Sequence, residues 1–238
     1  FLIIVLFINN YLIAQTNDFI NGVDISFIPQ IEDLGGVYYV EGTQTDPVEI
    51  FNQNGVGYIR LRLWHTPANG YCGLASTIQM ASRVKQLGLK LLLDIHYSDT
   101  WADPAHQTKP AAWQSLSYTQ LVDSVYSYTY SVVQALDNAN VLPDMIQIGN
   151  EITAGFLWPE GRVGGNYNTT TQWQQFTTLL KTARNAIIDA VPDTTIPIML
   201  HIDRGGDSAG SRWFYDKMIS YQVPFDYIGL SFYPWWHG

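Results

Sequence analysis

Hydrophobic and polar positions alternate along this chain in a repeating order. A short run rich in Ile, Val, Leu and Tyr is followed by a polar loop, and then by a longer stretch of helical periodicity. The strand candidates are Gly22–Ser26, Tyr58–Leu63, Lys90–His96, Asp144–Gly149, Ile196–His201 and Phe225–Ser231, each bounded by Gly, Pro, Asn or Asp. Helices are predicted over Asp46–Asn54, where Pro47 suits a first turn, and over Thr77–Leu87, which stops at a C′-type glycine, Gly88. Further helices are predicted over Tyr118–Ala139, Thr170–Ala190 and Ser211–Tyr221. In the second of these Trp173, Phe176, Leu179, Leu180, Ala183 and Ile187 recur at helical spacing.

Strands alternating with helices imply parallel strands joined by crossovers, in a doubly wound sheet or a closed barrel. No Gly-x-Gly-x-x-Gly follows the first strand, which weakens the dinucleotide-binding form of the doubly wound sheet. The fold class expected is α/β, a TIM (β/α)8 barrel of which about six βα units are visible. It is read as truncated after the sixth strand, because a complete barrel needs eight units. Residues 16–238 are assigned to this catalytic barrel domain.

Composition narrows the partners. Hydrophobic residues make up 47% of the 238, aromatics 14% and charged residues only 14%, which argues against disorder. The net charge of −9 disfavours nucleic acid and anionic membranes, which require clustered Lys and Arg. A neutral polymer is not opposed by such a field. The single cysteine, Cys72, leaves no intrachain disulfide and no cysteine cluster for a metal. Phe1–Ala14 is almost wholly apolar, too short to span a bilayer comfortably, and turns polar at Asn17-Asp18. It reads as the remnant of a secretory signal peptide over residues 1–15, with a buried strand or helix as the alternative, and makes the protein secreted.

In a parallel barrel, chemistry gathers at the C-terminal strand ends. Those ends carry Asp24, then Arg60, Arg62 and Trp64 on one face of strand two, then Asp94, His96, Asp99 and Trp101, then Asn150-Glu151, then His201 and Asp203, and finally Tyr233, Trp235 and His237. Two arginines pointing into a barrel require carboxylate partners, and the neighbouring acids could supply them. Glu151 is the sharpest candidate. A carboxyl group in a partly apolar pocket has a raised pKa and can donate a proton, although an arginine partner or a helix-terminal acid would also fit the spacing. His96 and His201 lie near aspartates without a metal-ligand spacing, so they are expected to bind sugar hydroxyls or position acids, and no metal is expected. Trp101, Trp113, Trp158, Trp235 and Trp236 fall in loops after strands, as sugar platforms or as core filler.

These motifs together resemble glycoside hydrolase family 53, the arabinogalactan endo-β-1,4-galactanases. The resemblance rests on Val23-Asp24-Ile25-Ser26, on Ile59-Arg60-Leu61-Arg62-Leu63-Trp64 and on the long run from Leu93 to Pro104. It continues through Gln147-Ile148-Gly149-Asn150-Glu151-Ile152, Gly155-Phe156-Leu157-Trp158-Pro159 and Gly229-Leu230-Ser231-Phe232-Tyr233-Pro234-Trp235. It implies an endo-acting, retaining double displacement on β-1,4-galactan, with Glu151 as acid/base. Asn150 is similar to the neighbour that contacts the sugar, Arg60 to the arginine supporting the nucleophile, and Tyr233 to the tyrosine beside it. Asp24, His96, Asp99, Trp101, His201, Asp203 and Trp235 are expected to bind substrate. The family's nucleophile is a Glu ending strand seven, expected beyond residue 238, so the 238-residue polypeptide alone is expected to be inactive. No cofactor is expected, any structural calcium is expected in the missing C-terminal part, and the protein is expected to be a monomer with galactan as its partner. The other readings are a related barrel glycanase acting on mannan, xylan or glucan, a non-catalytic carbohydrate-binding barrel and, more distantly, a metal-dependent hydrolase.

Overall fold

In the computed structural model, which describes residues 19–237, six parallel strands form one sheet. They are β1 (Gly22–Asp24), β2 (Tyr58–Leu63), β3 (Lys90–Ile95), β4 (Met145–Ile148), β5 (Ile198–Ile202) and β6 (Tyr227–Leu230). Each pairs with its sequence neighbour, in the order β1-β2-β3-β4-β5-β6. A doubly wound sheet reverses its strand order at a switch point. This one does not, so the strands form the arc of a (β/α)-barrel. Side-chain hydrogen bonds run from β2 to the end of β4, and from the end of β4 to the end of β6, across the inner side of the arc. The edge strand β6 leaves Tyr227, Ile228 and Leu230 exposed. The apolar run read as a signal peptide lies outside the described residues.

The helices form where their start and stop signals are strongest. In α2 (Pro47–Gln53), Asp46 Oδ1 accepts the Val48 N–H at 2.7 Å and Pro47 occupies the first turn. In α4 (Tyr118–Asn138), Ser117 and Gln120 form a capping box. In α5 (Thr170–Ala190), the Thr169 side chain accepts from Gln172 N, and every apolar residue expected at helical spacing is buried. α3 (Leu74–Gln86) ends before Gly88, whose φ of 71° is the left-handed value that favours glycine. Its start lies three residues ahead of the predicted Thr77, because the capping residue is Gly73 and offers no side-chain signal. α6 (Ser208–Ser220) likewise begins three residues early, at the Asp207 cap, where Gly210 in the first turn hides the helical pattern. A short helix α1 (Ile28–Asp33), a hairpin pairing Tyr39–Val40 with Thr43–Gln44, and a final turn of helix α7 (Pro234–His237) were not foreseen from periodicity. Each is too short to display one.

The strand period of two separates two environments. Ile59, Leu61 and Leu63 of β2, Leu91, Leu93 and Ile95 of β3, and Ile146 and Ile148 of β4 belong to the buried core, along with Val84, Leu121, Leu136, Phe176 and Leu180 from the helices. Each fully buried aliphatic side chain contributes roughly 1.5–3 kcal/mol. The intervening strand positions turn to the inner side of the arc, and the polar residues gather there.

Candidate active site

The register brings the polar strand residues side by side. Asp24 pairs with Arg60, Arg62 with Asp94, and Asp94 with Gln147. Arg60 then reaches in two directions. Its Nη1 donates to Asp24 Oδ2 at 2.7 Å, and its Nη2 donates to Asp94 Oδ2 at 2.6 Å and Asn150 Oδ1 at 3.0 Å. Gln147 Nε2 donates to Asp94 Oδ1 at 2.6 Å, and Asn150 Nδ2 to the Ala102 carbonyl at 2.8 Å. Asp94 is entirely enclosed. Burial opposes its ionisation, but the charge of Arg60 and the hydrogen bond from His96 outweigh that and hold its carboxyl below its ordinary value. Arg60 is correspondingly raised: burial works against its charge, and Asp94 and Asp24 more than restore it.

His96 is enclosed beside this pair. Its Nδ1 accepts from Ala102 N at 3.1 Å and Trp64 Nε1 at 3.3 Å, so Nε2 carries the proton and donates to Asp94 Oδ2 at 2.8 Å. Both ring nitrogens are thereby used within the protein, and His96 positions Asp94 and the Ala102 backbone from beneath the cleft.

Arg62 departs from expectation. Among the described residues it makes no salt bridge, and its Nε has no hydrogen-bond partner. Its guanidinium lies over the rings of Trp101, Phe27 and Trp64, at 3.8, 4.6 and 5.0 Å from their centroids. The carboxylates predicted for two arginines serve Arg60 alone. Arg62, only 2% exposed, is stabilised by aromatic faces instead.

Glu151 sits on a tight turn after β4. Gly149 has φ 77°, and a Cβ there would lie 2.6 Å from Ile152 Cγ2. Glu151 itself has φ 49°, a left-handed conformation that costs a non-glycine residue about 1–2 kcal/mol. The turn carries the carboxyl over the arc to β6, where Ser231 Oγ lies 2.5 Å from Oε1. Burial pushes the Glu151 carboxyl up; the Ser231 hydroxyl opposes this, Asp203 and Asp103 add to it, and Arg60 opposes it. His201 of β5 packs beneath, with Nε2 2.9 Å from Ser231 Oγ.

A cleft of about 670 Å³ opens over these groups. Of the residues singled out in the sequence, it is lined by Asp24, Arg60, Arg62, Trp101, Asn150, Glu151, His201 and Tyr233. The others lie elsewhere. Asp99 spends its carboxylate on the Thr66 and Ala111 backbone N–H groups at 2.9 and 2.8 Å, tying two loops together. Asp203 accepts the Thr153 hydroxyl and lies 3.5 Å from Arg204 Nε. Trp235, 88% exposed, stands outside the cleft lining. Trp113 is core filler, packed edge-on against His65 and Tyr128, and Trp158 stacks on Arg162.

Sequence reasoning missed Ser231, Gln147, Phe27 and Phe232, and gave Asp94 no role of its own. Asp94 and Gln147 carried a signal, as polar residues inside otherwise apolar strands. Ser231 and Phe27 carried none, because loop serines and phenylalanines are common. Among the described residues, no group of three or more His, Cys, Asp or Glu is placed to hold a metal ion.

An arc of sequential parallel strands with a carboxylate cleft at their C-terminal ends defines a (β/α)-barrel protein of the kind that acts on substrates at that face. The chain belongs to glycosyl hydrolase family 53, whose model matches residues 20–238. It is 50% identical over 222 residues to an uncharacterized protein of Niallia circulans, covering 92% of this chain and 60% of the relative. It is 39% identical over 220 residues to the arabinogalactan endo-beta-1,4-galactanase of Thermothelomyces thermophilus, covering 90% of this chain and 64% of the relative. Among solved structures, the GH53 catalytic domain of Ignisphaera aggregans superposes with a TM-score of 0.85 at 44% identity, covering 93% of this chain and 61% of that one. The chain spans about three fifths of the length of these relatives.

Proposed function

We propose that the protein is an endo-acting, retaining glycoside hydrolase that cleaves β-1,4-galactosidic bonds in arabinogalactan or pectic galactan. The observation that carries this reading is the Glu151 carboxyl, raised by burial at the rim of β4 in a cleft that also presents Asn150, Arg60 and the Trp101 ring. A carboxylic acid so placed keeps its proton to higher pH than a solvent-exposed one, which suits it to protonate a glycosidic oxygen and then to act as the base when water enters. Arg60 carries positive charge at the floor of the cleft, and Asn150, fixed by Ala102 and Arg60, is oriented to meet a sugar hydroxyl. Double displacement also needs a nucleophilic carboxylate about 5–5.5 Å from the acid. Among the described residues Asp24 is engaged by Arg60 and Asp203 by Thr153; the likeness to family 53 implies that the nucleophile is a Glu at the end of a seventh strand, and we assign it there. The galactan substrate is supported by the name of the Thermothelomyces relative.

The same reading makes the protein a secreted monomer that needs no cofactor for the chemical step. The apolar run Phe1–Ala14 supports secretion.

The deciding experiment is hydrolysis of potato galactan by the full-length protein, compared with mannan, xylan and β-glucan. Release of galacto-oligosaccharides, with the first-formed anomer retained by NMR, is the expected result. Hydrolysis of another of these polymers in place of galactan overturns the substrate, and absence of hydrolysis on all four overturns the enzyme reading.

A further inference from the structure

The hydrogen-bond contacts around His201 cannot all be made at once. Asn150 Nδ2 is committed to the Ala102 carbonyl, so Asn150 Oδ1 must face His201 Nδ1, at 2.9 Å. The two protons on Gln147 Nε2 are taken by Asp94 Oδ1 at 2.6 Å and the Gly149 carbonyl at 2.9 Å. His201 Nδ1 is therefore left with one acceptor, Asn150 Oδ1, and one donor, the Glu151 backbone N–H at 3.3 Å. At the other end, Ser231 Oγ has one proton for two neighbours, Glu151 Oε1 at 2.5 Å and His201 Nε2 at 2.9 Å. The Ser231 backbone is fixed by Ile202 and Gly205 at 2.9 and 3.0 Å, so its hydroxyl turns in place between them.

We propose that Ser231 and His201 form a reversible hydrogen-bond chain whose direction follows the protonation of Glu151, making His201 a positioning residue with two working tautomers. With Glu151 ionised, Ser231 donates to its carboxylate, His201 Nε2–H donates to Ser231, and Nδ1 accepts from the Glu151 N–H. With Glu151 protonated, its O–H donates to Ser231, Ser231 donates to His201 Nε2, and Nδ1–H donates to Asn150 Oδ1. One proton is taken up in total, at Glu151. His201 loses its Nε2 proton to solvent and gains one at Nδ1, staying neutral throughout. In each state Ser231 stays hydrogen-bonded to both Glu151 and His201, while Nδ1 exchanges the Glu151 N–H for Asn150 Oδ1 as its partner, so the acid and base forms of Glu151 are each held against Ser231.

Burial pushes His201 down to about 4, while Glu151 is raised above its ordinary value, which leaves a pH range where Glu151 is protonated and His201 is still neutral. The other groups facing the pair are Arg60 of β2, Asp94 and His96 at the end of β3, Asp103 in the loop beyond it, Asp203 after β5, and Asp24 and Tyr233 across the cleft.

The catalytic purpose of the chain rests on Glu151 being the acid/base; the tautomer change does not. The test is NMR without substrate, on protein labelled with 15N-histidine and 13C-glutamate, with assignments from His201→Asn and Glu151→Gln. The expected result is that the protonated-type and unprotonated-type shifts of the two His201 nitrogens exchange places at the midpoint of the Glu151 titration. Ser231→Ala should abolish the exchange, and Ser231→Thr, which keeps the hydroxyl, should preserve it. A His201 tautomer that stays fixed through the Glu151 titration overturns the proposal, as does an exchange unaltered in Ser231→Ala. Inactivity on galactan with the exchange intact overturns the substrate reading alone.

Discussion

Arg60 Nη2 lies 2.6 Å from Asp94 Oδ2, and the carboxylate at the far end of that contact is closed to solvent. The ion pair joins adjacent strands, but its register is diagonal: the strand partner of Asp94 is Arg62. Arg60 is the more exposed member, because it must reach the cleft while also neutralising the floor. Removing it leaves a buried charge behind.

For that reason Arg60→Ala is expected to destabilise the protein by about 3–5 kcal/mol, the usual consequence of breaking one side of a buried pair. Urea unfolding provides the measurement. The double variant Arg60→Ala with Asp94→Asn should recover part of the loss, since the stranded charge goes with it. A double variant destabilised by the full sum of the two singles would show that the pair does not act as one unit.

Glu151→Gln should lower turnover on galactan by at least about 10²-fold, the contribution expected of general acid/base assistance. A substrate whose leaving group departs without a proton should be affected less in the first step. Turnover within a few-fold of the wild type would remove Glu151 from the role.

The two carboxyls have opposite linkage to pH. Asp94 is held below its ordinary value in the folded state, so its contribution is present above the unfolded value, near 4, and is lost as pH falls through the folded one. Glu151 is raised, so the stability it contributes is present below the unfolded value and lost as pH rises through the folded one. Glu151→Gln is therefore expected to raise the melting temperature at pH 7 and to change it little at pH 3.5. A melting temperature lowered at pH 7 would contradict the buried-acid account.

Trp101 is 45% exposed, lines the cleft, and covers the Arg62 guanidinium at 3.8 Å. Trp101→Ala should cost about 0.5–2 kcal/mol of stability through the lost cation–π contact, and should raise KM on galactan more than it lowers kcat. Trp101→Phe, with a smaller ring, should fall between. An unchanged KM would mean that the ring supports Arg62 without meeting the sugar.

How far these features were legible depended on how local their causes are. The strand-helix alternation, the glycine stop at Gly88 and the apolar face of α5 follow from the spacing of neighbours along the chain. The true starts of α3 and α6 are not legible in the spacing, because Gly73 and Gly210 hide the pattern. The two arginines of β2 look alike in sequence, at alternate positions on one face, yet one neutralises aspartates and the other lies among aromatic rings. Their partners come from four different segments, and no local pattern encodes which segment arrives where.

What the sequence determined by itself was the order of the elements, the strand ends that carry polar groups, and Glu151 as a candidate acid, because backbone periodicity and residue type are local properties. The tertiary structure decided which of those groups face one another. It drew Asp99 and Asp203 into loop contacts, sealed His96 and Asp94 beneath the cleft, and set Ser231, 80 positions away in the chain, against Glu151. Burial and long-range hydrogen bonding set the protonation of a carboxyl group, and both are fixed only when distant strands are placed side by side.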